Sequence, residues 1–422
     1  MFCKLLSITV LTLWHNLSNL KTDKIIMKKH FKINIAQTVL DDLKNRISNT
    51  RWTDEIENSK WEYGTNKTYL KELCSYWQNK FDWKKQEEYL NSFSHFKAII
   101  DDVHIHFIHA KGEGKNVIPL LLTHGFPDSF TRFLKIIPLL TKADGNGFSF
   151  DVIVPSNPGY GFSDIPSEKG MNTKVIASLF TKLMTEELGY EKFVAHGGDT
   201  GSDITEKIAL YHTESVIGIH IIDVPWQHGF APPKDPSKAE KKFLEESTQW
   251  SMKEGAYAML QSTKPQTLAY GLNDSPVGLA AWVIEKFKTW SDCNGNIETC
   301  FTKDELLTNI TVYWVTQTVN SSFRIYKEGI DALMNSMYNP LAKLNPFDKT
   351  GSKTEVPTAF ALFPKDISLP PKEYVERFFN VQQWTEMPKG GHFSAMEQPE
   401  LLADDIRKFF SGLTISADKE LT

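Results

Sequence analysis

Residues 192–204 read KFVAHGGDTGSDI. A short apolar run, Phe193–His196, meets Gly197-Gly198-Asp199-Thr200-Gly201 and then a helical pattern. A sharp strand-to-helix turn of this kind strains its central residue and needs small neighbours. Gly197 and Gly201 flank Asp199 symmetrically. The helix that follows offers free N–H groups and the positive end of its dipole, which favour an ionised carboxylate. Asp199 is therefore a candidate nucleophile. The plainer alternative is a Gly-rich turn in which Asp199 only caps the helix. Such turns usually carry a serine, which attacks carbonyl carbon. A carboxylate can attack saturated carbon without first losing a proton, and it leaves an ester that water can cleave.

Two other segments could complete such a site. LTHGFPDSF, residues 122–130, follows a strand-like apolar run. A His-Gly loop there can supply N–H donors to an oxyanion hole, from Phe126 together with Thr200, with Pro127 fixing the loop. An ordinary Gly/Pro turn is the alternative. In PKGGHFSAMEQPELLADDI, His392 follows two glycines and precedes the last helical pattern, where a general base belongs. The alternative is a loop histidine bonded to backbone. Asp366, in FALFPKDI, stands where the acid partner should lie; Glu355 is a weaker choice because it precedes its strand. The chain order Asp199, Asp366, His392 is that of the α/β-hydrolase fold.

The elements that must position these residues are visible as periodicities. Residues 31–95 read as helical. QTVLDDLKNRI sets Val39, Leu40, Leu43 and Ile47 on one face, and KTYLKELCSYWQNKF and WKKQEEYLNSF give two more helices. The polar-aromatic connection NTRWTDEIENSKWEYGTN is expected along a surface. From 96 the period changes. HFKAII and VHIHFIHA alternate as a hairpin around Asp101-Asp102. NVIPLLLTHGF and FDVIVPSNPGYGFSD, strand-like runs that end in Gly/Pro turns, and the strands KFVAHGGD and VIGIHIIDVP then alternate with helical patterns in SFTRFLKIIPLLT, TKVIASLFTKLMTEELG and DITEKIALYHT. Strands alternating with helices predict an α/β domain with a mostly parallel central sheet. Residues 226–345 are mostly helical and aromatic, which predicts an inserted cap over the carboxyl ends of the strands. VPTAFALF and LLADDIRKFFSGL then close the sheet domain. The expected division is a leader or misassigned start at 1–30, a helical extension at 31–95, a core at 96–225 and 346–414, and a cap at 226–345.

Composition narrows the function. The chain has 422 residues, 41% hydrophobic and 23% charged, as in ordinary globular proteins. A net charge of −5 offers no basic face for nucleic acid. Aromatics at 12% suit an apolar pocket. Cys3, Cys74, Cys293 and Cys300 form no CxxC pair, so metal ligation by cysteine is not expected. Reduced thiols are expected, with a Cys293–Cys300 disulfide as the alternative. In VHIHFIHA, His104 and His106 share one strand face and His109 the other; a solvated face is expected, not a metal site. The apolar run LLSITVLTLW would span about half a bilayer core as a helix. Met27 is the expected start, which places the protein in the cytoplasm. Membrane association or export through residues 1–26 stays open.

The chain resembles the epoxide hydrolases of the microsomal type, within the α/β-hydrolase superfamily, from about residue 31 to 411. HGFPDS is similar to that family's HGWPGS-like loop, with Phe126 and Asp128 as differences. YAMLQSTKPQTLAYGLNDSPVGLAAWVIEKF and SSFRIYKE match its cap, and Lys389-Gly390-Gly391-His392-Phe393 its RGGHF. The resemblance implies Asp199 as nucleophile and Asp366 with His392 as the charge relay. It also implies Tyr257 and Tyr326 as the cap tyrosines that bind the epoxide oxygen, with Phe126 and Thr200 amides as oxyanion hole. Tyr270 flanks the same cap stretch, but the match favours Tyr257. It implies no cofactor and no metal; the partners are a small apolar epoxide and water. The family usually has tryptophan where Thr200 stands, so a reshaped pocket is expected.

A haloalkane or haloacid dehalogenase is the nearest rival, but Thr200 lacks the indole donor that such enzymes often use for halide. A catalytically silent ligand-binding relative should have lost a relay residue, and all three are present. The N-terminal helices wrap the main domain or form a homodimer; the sequence leaves both open.

Overall fold

The structure is a computed structural model and describes residues 28–420 apart from 231, 340–344, 346, 347 and 350, without the side chains of 414–420. The expectation of a leader at 1–26 lies outside the described residues.

One nine-stranded sheet organises the chain. Its strands are β1 (Lys29–Phe31), β2 (His95–Ile100), β3 (Val103–Ala110), β4 (Asn116–Thr123), β5 (Phe148–Pro155), β6 (Phe193–Gly197), β7 (Val216–Ile221), β8 (Pro357–Leu362) and β9 (Asn380–Glu386). They lie in the order β1-β2-β3-β5-β4-β6-β7-β8-β9. From β5 to β9 every neighbour is parallel; β1, β2 and β3 join antiparallel at one edge. Asp101 and Asp102, at φ 45° and 65°, make the tight turn between β2 and β3. β5 and β6 are buried along their whole length, as continuous apolar strands covered on both faces should be. The chain leaves β4 toward β5 on one side and returns to β6 on the other, so the switch point lies at the carboxyl end of β4.

Several local expectations change. SFTRFLKIIPLLT is not one helix but a 3₁₀ turn, Phe130–Phe133, and a short helix, Ile137–Thr141. Pro138 cannot donate a backbone hydrogen bond and sits in the first turn of the second piece. In the helix Gln37–Ser48, Leu40, Leu43 and Ile47 are buried but Val39 is exposed, because that helix rests on its support by a narrow stripe. The extension is not wholly helical from its start: β1 pairs with β2, with Phe31 opposite His95. The histidines of β3 do not form a solvated face. His106 is fully buried under Phe130 and Phe162 and meets His95 Nδ1 at 2.8 Å and Ser156 Oγ at 2.8 Å.

Between β7 and β8 the chain forms the helices Lys238–Glu254, Ala256–Thr263, Pro265–Asp274, Pro276–Thr289, Lys303–Thr316 and Val319–Tyr338. Capping boxes start two of them, Ser237 with Glu240 and Thr302 with Glu305. The N-terminal extension grips these helices: Thr65 Oγ1 donates to Ala281 O at 2.6 Å, Trp77 Nε1 to Thr311 Oγ1 at 3.1 Å, and Tyr76 OH to Asp304 at 2.9 Å. Among the described residues, no helix is long and apolar enough to cross a membrane.

Candidate active site

The carboxyl ends of β4, β6, β7, β8 and β9 converge on one place. β6 ends at Gly197, and the helix Thr200–Tyr211 starts three residues later. Asp199 between them has φ 57° and ψ −133°, a conformation that costs a non-glycine residue about 1–3 kcal/mol. Close packing enforces it: a Cβ on Gly201 would run into the Thr123 carbonyl at the end of β4. The Asp199 amide is tied down as well, donating to Asp223 Oδ2 at 2.8 Å.

The two oxygens of Asp199 face different groups. Oδ1 accepts from the Phe126 amide at 2.9 Å and from the Thr200 hydroxyl at 2.9 Å. Oδ2 lies 3.4 Å from His392 Nε2, an ion contact longer than a good hydrogen bond. His392 Nδ1 meets Asp366 Oδ1 at 2.7 Å, and the Ile367 amide donates to the same oxygen at 2.7 Å. The Asp199 side chain keeps 9% of its exposure, while those of His392 and Asp366 keep none. The nucleophile candidate can therefore be reached while its partners cannot.

The charges reinforce each other. Burial alone would raise Asp199, but the hydrogen bond and charge of His392, then the Phe126 and Thr200 amides, hold it below its ordinary range. Burial alone would lower His392; Asp366 and Asp199 reverse this and push it well above the usual imidazole range. His392 is thus a cation between two carboxylates. Of the two candidate acids, Asp366 meets His392 and Glu355 is exposed at the far end of β8.

The cap brings its tyrosines to the other side. Tyr257 is buried on the helix Ala256–Thr263, and Tyr326 is partly buried on Val319–Tyr338. Their rings stand edge to face with centroids 6.0 Å apart, and their hydroxyls influence each other electrostatically. Tyr326 also meets the Phe126 ring edge-on at 6.0 Å. Burial, then the charge of Asp199, raises Tyr257; burial, then Tyr257 and Asp199, raises Tyr326. Both are neutral hydroxyls facing a carboxylate. Tyr270 is 71% exposed and bonds to Gln266, away from the site.

Four neighbours were given no role in the site from sequence. Asp223, just past β7, is buried beside Asp366, His392 and Asp199; burial first, then Asp366, push its carboxyl up to about 7. Asp128 and Arg132 form a buried ion pair that joins two loops, since Asp128 Oδ1 accepts from the Gly125 amide at 3.0 Å and Arg132 donates to the His392 carbonyl at 2.6 Å. Their i, i+4 spacing in DSFTR was the available signal. Glu397 accepts from the amides of Gly391 and Phe393, both at 3.0 Å, and so clamps the backbone on either side of His392.

Outside this cluster, Cys293 and Cys300 are free thiols, each bonded to a different carbonyl, Lys288 O and Asp292 O. Among the described residues, no group of three or more His, Cys, Asp or Glu side chains is arranged to hold a metal ion.

The chain is similar to known proteins over nearly its whole length. The family described as epoxide hydrolase N terminus matches residues 28–133, and the alpha/beta hydrolase fold matches 118–269. Epoxide hydrolase 1 of Sus scrofa is 40% identical, over 90% of this chain and 87% of its own. The crystal structure of juvenile hormone epoxide hydrolase from the silkworm Bombyx mori superposes with a TM-score of 0.82 at 29% identity, over 95% of this chain and 98% of that one. The Aspergillus niger epoxide hydrolase superposes with a TM-score of 0.77 at 26% identity, over 91% and 96%. The chain belongs to the epoxide hydrolase family of the α/β-hydrolase fold, and its reaction is the hydrolysis of an epoxide to a vicinal diol.

Proposed function

We propose that this enzyme opens a small apolar epoxide through a covalent ester on Asp199. The observation that carries this is the unequal pair of Asp199 oxygens, one held by donors and one turned to His392. Oδ2 attacks a ring carbon, and the carbon–oxygen bond breaks toward the epoxide oxygen. Tyr257 and Tyr326 hydrogen-bond that oxygen, and one of them gives it a proton.

Ester formation removes the Asp199 charge that helps hold the proton on His392. His392 then gives this proton up, by way of solvent, to the tyrosinate left by ring opening and becomes a neutral base. It takes a proton from water as the water oxygen bonds to Asp199 Cγ, and Asp366 stabilises the imidazolium that forms. The carbonyl electron pair moves onto Oδ1, between the Phe126 and Thr200 amides. On collapse the Cγ–Oδ2 bond breaks. The diol leaves with Oδ2 and the proton from His392. The second water proton, now on the regenerated carboxyl, passes to His392 and restores the starting ion pair.

A single turnover in H₂¹⁸O with enzyme in excess tests this route. Label should enter the peptide that holds Asp199 and be absent from the first diol. Label in the first diol would mean direct attack by water.

The rest of the chain serves this site in the same reading. Residues 226–345 act as the cap. The extension 31–95 braces that cap, because the side chains of Thr65, Tyr76 and Trp77 reach Ala281, Asp304 and Thr311 of the same chain. A cytoplasmic setting suits the free thiols of Cys74, Cys293 and Cys300.

A further inference from the structure

The Asp199 carboxylate receives one donor that its backbone surroundings do not supply. Thr200 Oγ1 lies 2.9 Å from Oδ1, the same oxygen that accepts the Phe126 amide at 2.9 Å. The Thr200 amide also faces this carboxylate. Thr200 opens the helix Thr200–Tyr211, so its side chain starts from a fixed backbone. Its hydroxyl proton has no competing acceptor as strongly charged as the carboxylate it touches, since an ionised acceptor makes the stronger bond.

We propose that the Thr200 hydroxyl is a third oxyanion donor, acting on Oδ1 alongside the amides of Phe126 and Thr200 and favouring the second half-reaction over the first. The inference rests on the covalent route proposed above. In ring opening, electron density leaves the carboxylate for the new bond from Oδ2 and for the epoxide oxygen. A hydrogen bond to Oδ1 weakens in that step, so the hydroxyl restrains alkylation. In ester hydrolysis, water adds to Cγ, His392 takes the water proton, and the carbonyl pair becomes a full charge on Oδ1. There the same hydrogen bond strengthens. A donor that binds more tightly in the transition state than in the ground state accelerates that step alone. The hydroxyl can rotate to follow the charge.

Thr200→Val tests this, because valine keeps the shape and the backbone amide and removes only the hydroxyl. Pre-steady-state measurements with styrene oxide should resolve both half-reactions, reading the ester by quenched intact mass. Alkylation should run at the wild-type rate or faster. Ester hydrolysis should fall by roughly 10- to 1000-fold, the range for one oxyanion donor. The ester should then dominate the steady state, with kcat and KM falling together and kcat/KM preserved. Thr200→Ser, which restores a hydroxyl, should recover hydrolysis. A purely structural role would slow both half-reactions and would not be rescued selectively by serine. Hydrolysis at the wild-type rate in Thr200→Val overturns the proposal while leaving the covalent route standing. The absence of any ester in both wild type and variant overturns the covalent route, and this inference with it.

Discussion

On the sheet side of the site, Asp199 is held by backbone: a strained turn between β6 and a helix, an amide tied to Asp223, and the Phe126 amide on Oδ1. On the cap side, Tyr257 and Tyr326 are held by side chains, through their rings and each other's hydroxyls. The sheet side carries charge: Asp199, His392 and Asp366 lie within one buried cluster, beside Asp223, whose carboxyl is pushed up to about 7. The cap side presents neutral phenols. The contrast fits the two-step chemistry proposed above. A nucleophile and its oxyanion donors must stay fixed through both half-reactions. Proton donors to the leaving oxygen are needed in the first alone. A helical insertion with aromatic packing can supply them without adding charge near the carboxylate.

If this division is right, substitutions on the two sides should separate the half-reactions. The largest effect is expected for Asp366→Asn. It leaves the His392 contact but fixes the wrong tautomer and withdraws the charge behind the imidazolium. Ester hydrolysis should slow by about 10⁴-fold while alkylation continues, as rapid-quench mass analysis would show. Equal slowing of both steps would erase the distinction between sheet and cap.

The cap should behave in the opposite way. Tyr257→Phe and Tyr326→Phe should each slow alkylation alone, and the double variant should lose roughly 10²- to 10⁴-fold, the range for a positioned proton donor. Each single variant keeps one hydroxyl, so the double loss should exceed the product of the two single losses. An effect of either tyrosine on hydrolysis of preformed ester would break the comparison.

The smallest effect sharpens the sheet side alone. Asp223 has its folded pKa pushed up to about 7, against about 4 in an unfolded chain. The folded state therefore holds this proton more tightly. The advantage is full below pH 4 and is lost as pH rises through 7. Asp223→Asn keeps an acceptor for the Asp199 amide but cannot ionise. Its unfolding free energy relative to wild type should rise between about pH 4 and 7 and level off above 7. A difference independent of pH, measured by denaturant titration, would mean that Asp223 carries no such strain.

The same contrast explains what could be read from sequence. Asp199 was legible because its constraints are local: glycines at 197 and 201, an apolar strand before and a helix after. Asp366 and His392 were legible from chain order and from their places after β8 and β9. Tyr257 and Tyr326 were not legible from spacing, since a cap tyrosine is more often a packing residue; only the family resemblance singled them out. Asp223 escaped because an aspartate after a strand is commonplace until the fold places it against Asp199. His106 was misjudged for a related reason. Alternation assigned its face of β3, but the burial of that face depends on Phe130 and Phe162, which come later in the chain.

The most direct test of the account is intact-mass analysis of His392→Ala after one turnover with styrene oxide and, in parallel, with an aliphatic epoxide. Removing the base should leave alkylation in place and stop ester hydrolysis. The account predicts a mass increase equal to the substrate, located on the peptide that contains Asp199 and absent when Asp199→Ala is added. Diol formation with no mass increase at any time would contradict it.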